Sequence, residues 1–202
     1  MKKIFISLVI LGMASMQAYA FDWTSALNFL GRASETQATQ TPPATLSDFE
    51  RDMANIDNSV QTAFVDVVSA LSGWRETWNV KSQLKSSDVL TDVISSYANT
   101  YLENNRQNII NTIKKMSAKE KTALVNNINT LAENGQNYFI LATNGAKAAT
   151  NALKTAQTVN EVTTTIVNVN KAAAELKSRA TAVMTLVNEV KSVATAAGVN
   201  VN

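Results

Sequence analysis

The chain has 202 residues, with 18 Lys or Arg against 16 Asp or Glu, and it contains neither Cys nor His. Those two absences exclude disulfides, zinc sites of the His/Cys kind, His-ligated haem and any catalytic pair built on a His base or a Cys nucleophile. They also leave the Glu-x-x-His signature of di-iron bundles unwritable, and the 6 scattered Gly make no phosphate-cradling loop.

Residues 1–20, MKKIFISLVILGMASMQAYA, have the parts of a secretory signal peptide. Lys2 and Lys3 supply the positive start, Ile4 to Met13 the short apolar core, and Ala18-Tyr19-Ala20 the small residues before a cleavage site. The apolar run falls short of the ~20 residues a membrane span needs, so cleavage after Ala20 and a mature start at Phe21 are expected. The destination is then the periplasm or the exterior. No Cys follows the cleavage site to carry a lipid. The signal holds two Lys and no acid, so the mature chain has 18 − 2 = 16 basic and 16 acidic residues. A chain of zero net charge has no electrostatic footprint for nucleic acid.

Residues 21–32 (FDWTSALNFLGR) read as a short amphipathic helix, capped by Asp22 and ended by Gly31. Phe21, Trp23, Leu27 and Leu30 carry its apolar surface. The expectation is that this helix folds back and caps the body, which removes apolar area from water. The alternative is a docking or membrane-surface segment. Residues 33–44, ASETQATQTPPA, have little to bury and hold the chain's 2 Pro, so they read as a flexible linker.

From Leu46 onward the sequence predicts an all-α body, a slender up-and-down bundle of four long helices, or five if one is broken. Ser47-Asp48-Phe49-Glu50 reads as the capping box of the first. Its apolar stripe alternates three and four: Leu46, Phe49, Met53, Ile56, Val60, Ala63, Val67, Ala70, Trp74, widened by Phe64 and Leu71. The pattern fades after Gly73, where the helix either ends or frays towards Lys85. Trp74 and Trp78 lie one turn apart near that end and are expected to close the core, with an interface anchor as the alternative. Asp48, Glu50 and Asp52 suit a helix N-terminus better than a cation site.

A second helix is expected from about Asp88, with Leu90, Ile94, Tyr97, Tyr101, Ile109, Ile113 and Met116 on its face. Asn104, Asn105 and Asn108 interrupt the middle, so the seam there is polar or locally reset. Lys114, Lys115, Lys119 and Lys121 then cluster at a predicted hairpin tip. The pair at the end of the second helix is expected to offset its dipole, and an acidic partner or lipid headgroups are the alternative.

Ser117 to Glu120 reads as a second capping box, opening a third helix whose stripe is half Gly and Ala, which permits close approach of a neighbour. A break at Asn134-Gly135 or Asn144-Gly145 stays open. Thr158 to Glu161 is a third capping box. Behind it runs a heptad repeat without phase slip, one seam from Val159 to Ala194 and the other from Val162 to Ala197. Ala172, Leu186 and Val193 add a third apolar position per heptad, which fits a bundle better than a zipper. Gly198 is a good C-cap, and residues 199–202 read as a disordered tail.

These readings point to an exported non-enzymatic protein, with no cofactor or metal, acting on a protein partner or by self-association. A membrane-active protein exposing amphipathic helices to lipid is the alternative, and a carboxylate hydrolase ranks last.

Overall fold

A computed structural model describes residues 45–84, 89–156 and 158–201, all within one compact unit, Pro42–Asn202. The segments read as signal peptide (1–20), amphipathic helix (21–32, with Phe21, Trp23, Leu27 and Leu30) and linker (33–44) lie outside the described residues. Those described form an all-α bundle without strands. Helix α1 is Leu46–Gln83. Helix α2 is a continuous helical run made of α-helical Leu90–Ser96, a π-helical turn Tyr97–Leu102 and α-helical Glu103–Lys115. Helices α3 (Ala118–Thr155) and α4 (Val159–Ala196) have 38 residues each, which at ~1.5 Å per residue makes each nearly 60 Å long.

The helix starts follow from side-chain caps. Ser117 and Thr158 each accept from the backbone N–H three residues on, and Glu120 and Glu161 reach back to the cap N–H, so both boxes are complete. The first helix opens elsewhere, and without a complete box. Thr45, not Ser47, is the cap: its hydroxyl accepts from the Asp48 N–H at 3.1 Å and donates to the Asp48 carboxylate at 2.8 Å. Thr-Leu-Ser-Asp satisfies the same spacing two residues earlier, and starting there carries Leu46 into the helix against the core.

Glu120 also yields a pH dependence. Hydrogen bonds from the Ser117 hydroxyl and backbone hold its carboxyl below the usual range. A pKa lowered on folding means the contribution is present above the unfolded carboxyl pKa and lost as pH falls through the folded value. Glu120→Gln should therefore melt below the parent chain at neutral pH, and the two melting curves should converge at acid pH.

The core is one cluster of Val, Leu, Ile, Ala and aromatic side chains spread over all four helices. The main packing is α3 on α4 and α1 on α3, with α2 laid chiefly along α4. Helices α1 and α3 run antiparallel: Asp57 meets Tyr138, and Ser59 meets Asn134. Neither Asn-Gly pair breaks α3, which runs through both. Their glycines serve packing. A Cβ on Gly135 would lie 2.7 Å from the Met184 sulfur, and one on Gly145 would lie 2.7 Å from the Phe49 ring.

The Asn-rich middle of α2 is reset locally, by a π-helical turn. Leu90, Ile94, Ala98 and Leu102 follow one another at steps of four and are all buried. Four per turn exceeds the α-helical 3.6, and one wide turn absorbs the difference. The Asn105 amide donates to the Tyr101 carbonyl at 2.9 Å.

In α4 both heptad seams are buried from Val169 to Ala197 apart from Ala173, while Val162, Ile166 and Ala173 are only half-buried. Gly198, at φ 82°, ends α4 in a left-handed cap. The Gly198 N–H donates to the Thr195 carbonyl and that of Val199 to the Ala194 carbonyl, both at 2.9 Å. Val199 is buried and Val201 packs on the core, so the segment read as a tail is tied to the bundle by apolar burial.

Candidate functional site

Gly73 decides what the end of α1 presents. Had the helix stayed regular, Trp74 would continue the buried stripe of Val60, Ala63 and Val67. Gly73 instead has φ 76° and ψ −177°, a non-helical conformation essentially confined to glycine. The chain bends there and resumes as a ten-residue leg with its phase shifted. On the inner side of the leg, Thr77 and Val80 are buried and Leu84, just beyond it, packs on the core. On the outer side stand Trp74, Trp78 and Lys81, spaced four and three apart on one helical stripe. Trp74 is 82 % exposed and Trp78 is 68 % exposed. The expectation that they close the core is overturned, because the bend turns their stripe outward.

The leg is held in place. The Thr77 hydroxyl donates to the Gly73 carbonyl at 2.7 Å, across the bend. Next to Gly73, Ser72 shares a 2.5 Å hydrogen bond with the Tyr97 hydroxyl, whose ring meets Phe64 edge-on. Burial pushes the Tyr97 phenol well above its usual pKa, so it remains a neutral hydrogen-bonding partner. Arg75 and Lys81 are exposed beside the indoles, while Glu76 is half-buried and accepts from Asn79 at 3.3 Å. The outward face is therefore aromatic and cationic. Behind it, between the leg and the π-helical turn, lies a cleft of about 300 Å³ lined by Glu76, Asn79, Gln83, Tyr101 and Asn104 among others.

The expected lysine cluster is brought to one end of the bundle by the two-residue α2–α3 connection. Lys114 and Lys115 occupy the last turn of α2, where they offset its dipole. Lys119 is exposed and Lys121 half-buried at the start of α3. In the acidic run, Arg51 stands between Asp48 (2.8 Å) and Asp52 (3.3 Å). Among the described residues no group of carboxylates is arranged to hold a metal ion, and no helix is long and apolar enough to cross a membrane.

A buried polar network was not anticipated. Asp57, 5 % exposed, accepts from the Tyr138 hydroxyl at 2.6 Å and from the Arg179 guanidinium, itself 5 % exposed. Asn134 donates to Ser59 at 2.9 Å and to the Thr130 carbonyl at 2.8 Å. Burial, then the neighbouring Asp57, raises the Tyr138 pKa, keeping its proton on the bond to Asp57. These groups tie α1, α3 and α4 together.

No protein-family model, curated protein or solved structure matches the chain.

Proposed function

We propose that this is an exported, non-enzymatic bundle that works by docking its Trp74–Trp78 face onto a surface outside its own core. The observation that carries this reading is the pair of indoles held outward by a glycine bend, where a regular helix would have kept Trp74 in the buried stripe. Exposed indoles on a rigid support are typical anchors of recognition faces, whether the contact is a protein or a membrane surface. Export rests on the signal-like residues 1–20, which would release the chain at Phe21. The non-enzymatic reading rests on the absence of His and Cys and on the fully engaged buried polar groups.

The test is co-sedimentation of the chain from Phe21 onward with the envelope fraction of the producing cell. The parent chain should sediment with it, and Trp74→Ser/Trp78→Ser should stay in the supernatant while melting at the parent's temperature. Equal sedimentation of both proteins would remove the tryptophan face from the function.

A further inference from the structure

We infer that the surface met by the Trp74–Trp78 face is an anionic lipid–water interface, with the indoles seated at headgroup level and Arg75 and Lys81 on the lipid charge. This rests on the docking reading above and adds the chemistry of the partner.

Three observations favour lipid. The first is area. Two indoles, 82 % and 68 % exposed, offer on the order of 300 Å² of contact, since a Trp buries ~150–250 Å². A stable protein interface needs ~800 Å² per partner with an apolar centre. Within the leg the other exposed residues are Arg75, Asn79, Lys81 and Gln83, none of them apolar. Lysine is depleted in protein interface centres but common where a helix meets headgroups.

The second is charge. The leg, residues 74–83, carries Arg75 and Lys81 against a single acid, Glu76. Arg75 and Lys81 are exposed while Glu76 is half-buried, so the exposed charge of the leg is positive. Basic side chains near an anionic leaflet each add attraction that decays within a Debye length.

The third is rigidity. Thr77 and Val80 fix the inner side of the leg in the core, so the indoles cannot turn inward without unpacking it. Tryptophan suits the interface because its ring is apolar while its N–H still reaches water or headgroups. The contact is superficial: among the described residues no helix is long and apolar enough to cross a membrane.

The experiment measures partition of the chain from Phe21 onward into vesicles of phosphatidylcholine alone, or of equal parts phosphatidylcholine and phosphatidylglycerol. Carrying Trp23→Phe leaves Trp74 and Trp78 as the emitting indoles. The expected result is binding to the anionic vesicles, a blue shift in emission, and weakening with added salt. Trp74→Ser/Trp78→Ser should bind about tenfold more weakly or worse, and Arg75→Gln/Lys81→Gln should lose the preference for the anionic vesicles. Both variants change exposed residues, and unchanged melting confirms that they fold. Absence of vesicle binding, with tryptophan-dependent sedimentation in the envelope fraction retained, would overturn the lipid partner and leave docking on a protein. Self-association of the free chain abolished by Trp74→Ser/Trp78→Ser would overturn it in favour of a second copy. Vesicle binding untouched by that variant would place the lipid contact elsewhere and overturn it too.

Discussion

Asp57→Ala is expected to lower the stability of the bundle by about 3–5 kcal/mol, the usual cost of leaving one member of a buried ion pair alone. The Arg179 guanidinium would remain in the core with no anion, and the Tyr138 hydroxyl would lose its acceptor. Against a total of about 5–15 kcal/mol for a domain, that loss is a large fraction. At about 2–4 °C per kcal/mol for a domain of this size, the melting temperature should fall by about 10 °C. The pair need not add net stability, because desolvating two charges offsets much of their attraction. Replacing all three groups together, as Asp57→Leu/Tyr138→Phe/Arg179→Met, should therefore recover most of the loss. Thermal denaturation of the single and triple variants checks both statements. Equal destabilisation of the two would show that the polar bonds themselves hold the fold.

The second large effect concerns the bend. Gly73→Ala places a Cβ where φ is 76°, a conformation costing about 1–3 kcal/mol for any other residue. Nothing lies within 4 Å of that Cβ, so the penalty is one of backbone and not of crowding. The chain can bear the strain, with a melting temperature several degrees lower. It can also relieve it by restoring regular helix through residue 73, which turns Trp74 back towards the stripe and pulls Thr77 and Val80 off the core. In the first case emission of the indoles stays that of exposed tryptophan. In the second it shifts to the blue and sedimentation with the envelope fraction falls. Unchanged stability together with unchanged emission would show that the bend is not set by Gly73.

Much of the fold is legible because the informative positions recur. Capping boxes at Ser117 and Thr158 mark where α3 and α4 begin, and the heptad of α4 predicts which face is buried from Val169 to Ala197. The buried ion pair carried a signal of the same kind. Phe64 and Leu71 widen the stripe of α1, and seven residues before Phe64 stands Asp57. Ala172, Leu186 and Val193 form the third seam of α4, and seven residues before Leu186 stands Arg179. Opposite charges at equivalent third-seam positions of two helices are a readable hint that they pair, though which helices are neighbours is not in the pattern. The tryptophan face was less accessible. Periodicity carries Trp74 inward because it assumes an unbroken helix, and a single glycine is compatible with both continuation and a bend. What settles the matter is tertiary: in the shifted phase Val80 and Leu84 pack on the core, and Tyr97 offers Ser72 a partner at the turn. The π-helical turn lies between these cases, since steps of four from Leu90 to Leu102 already exceed what an α-helix accommodates in line.

The most direct test of an outward tryptophan face that docks is acrylamide quenching of Trp74 and Trp78 in the Trp23→Phe chain, free and with the envelope fraction. The indoles should be quenched readily in the free chain and shielded in the bound one. Indoles already shielded in the free chain, or equally open when bound, would contradict it.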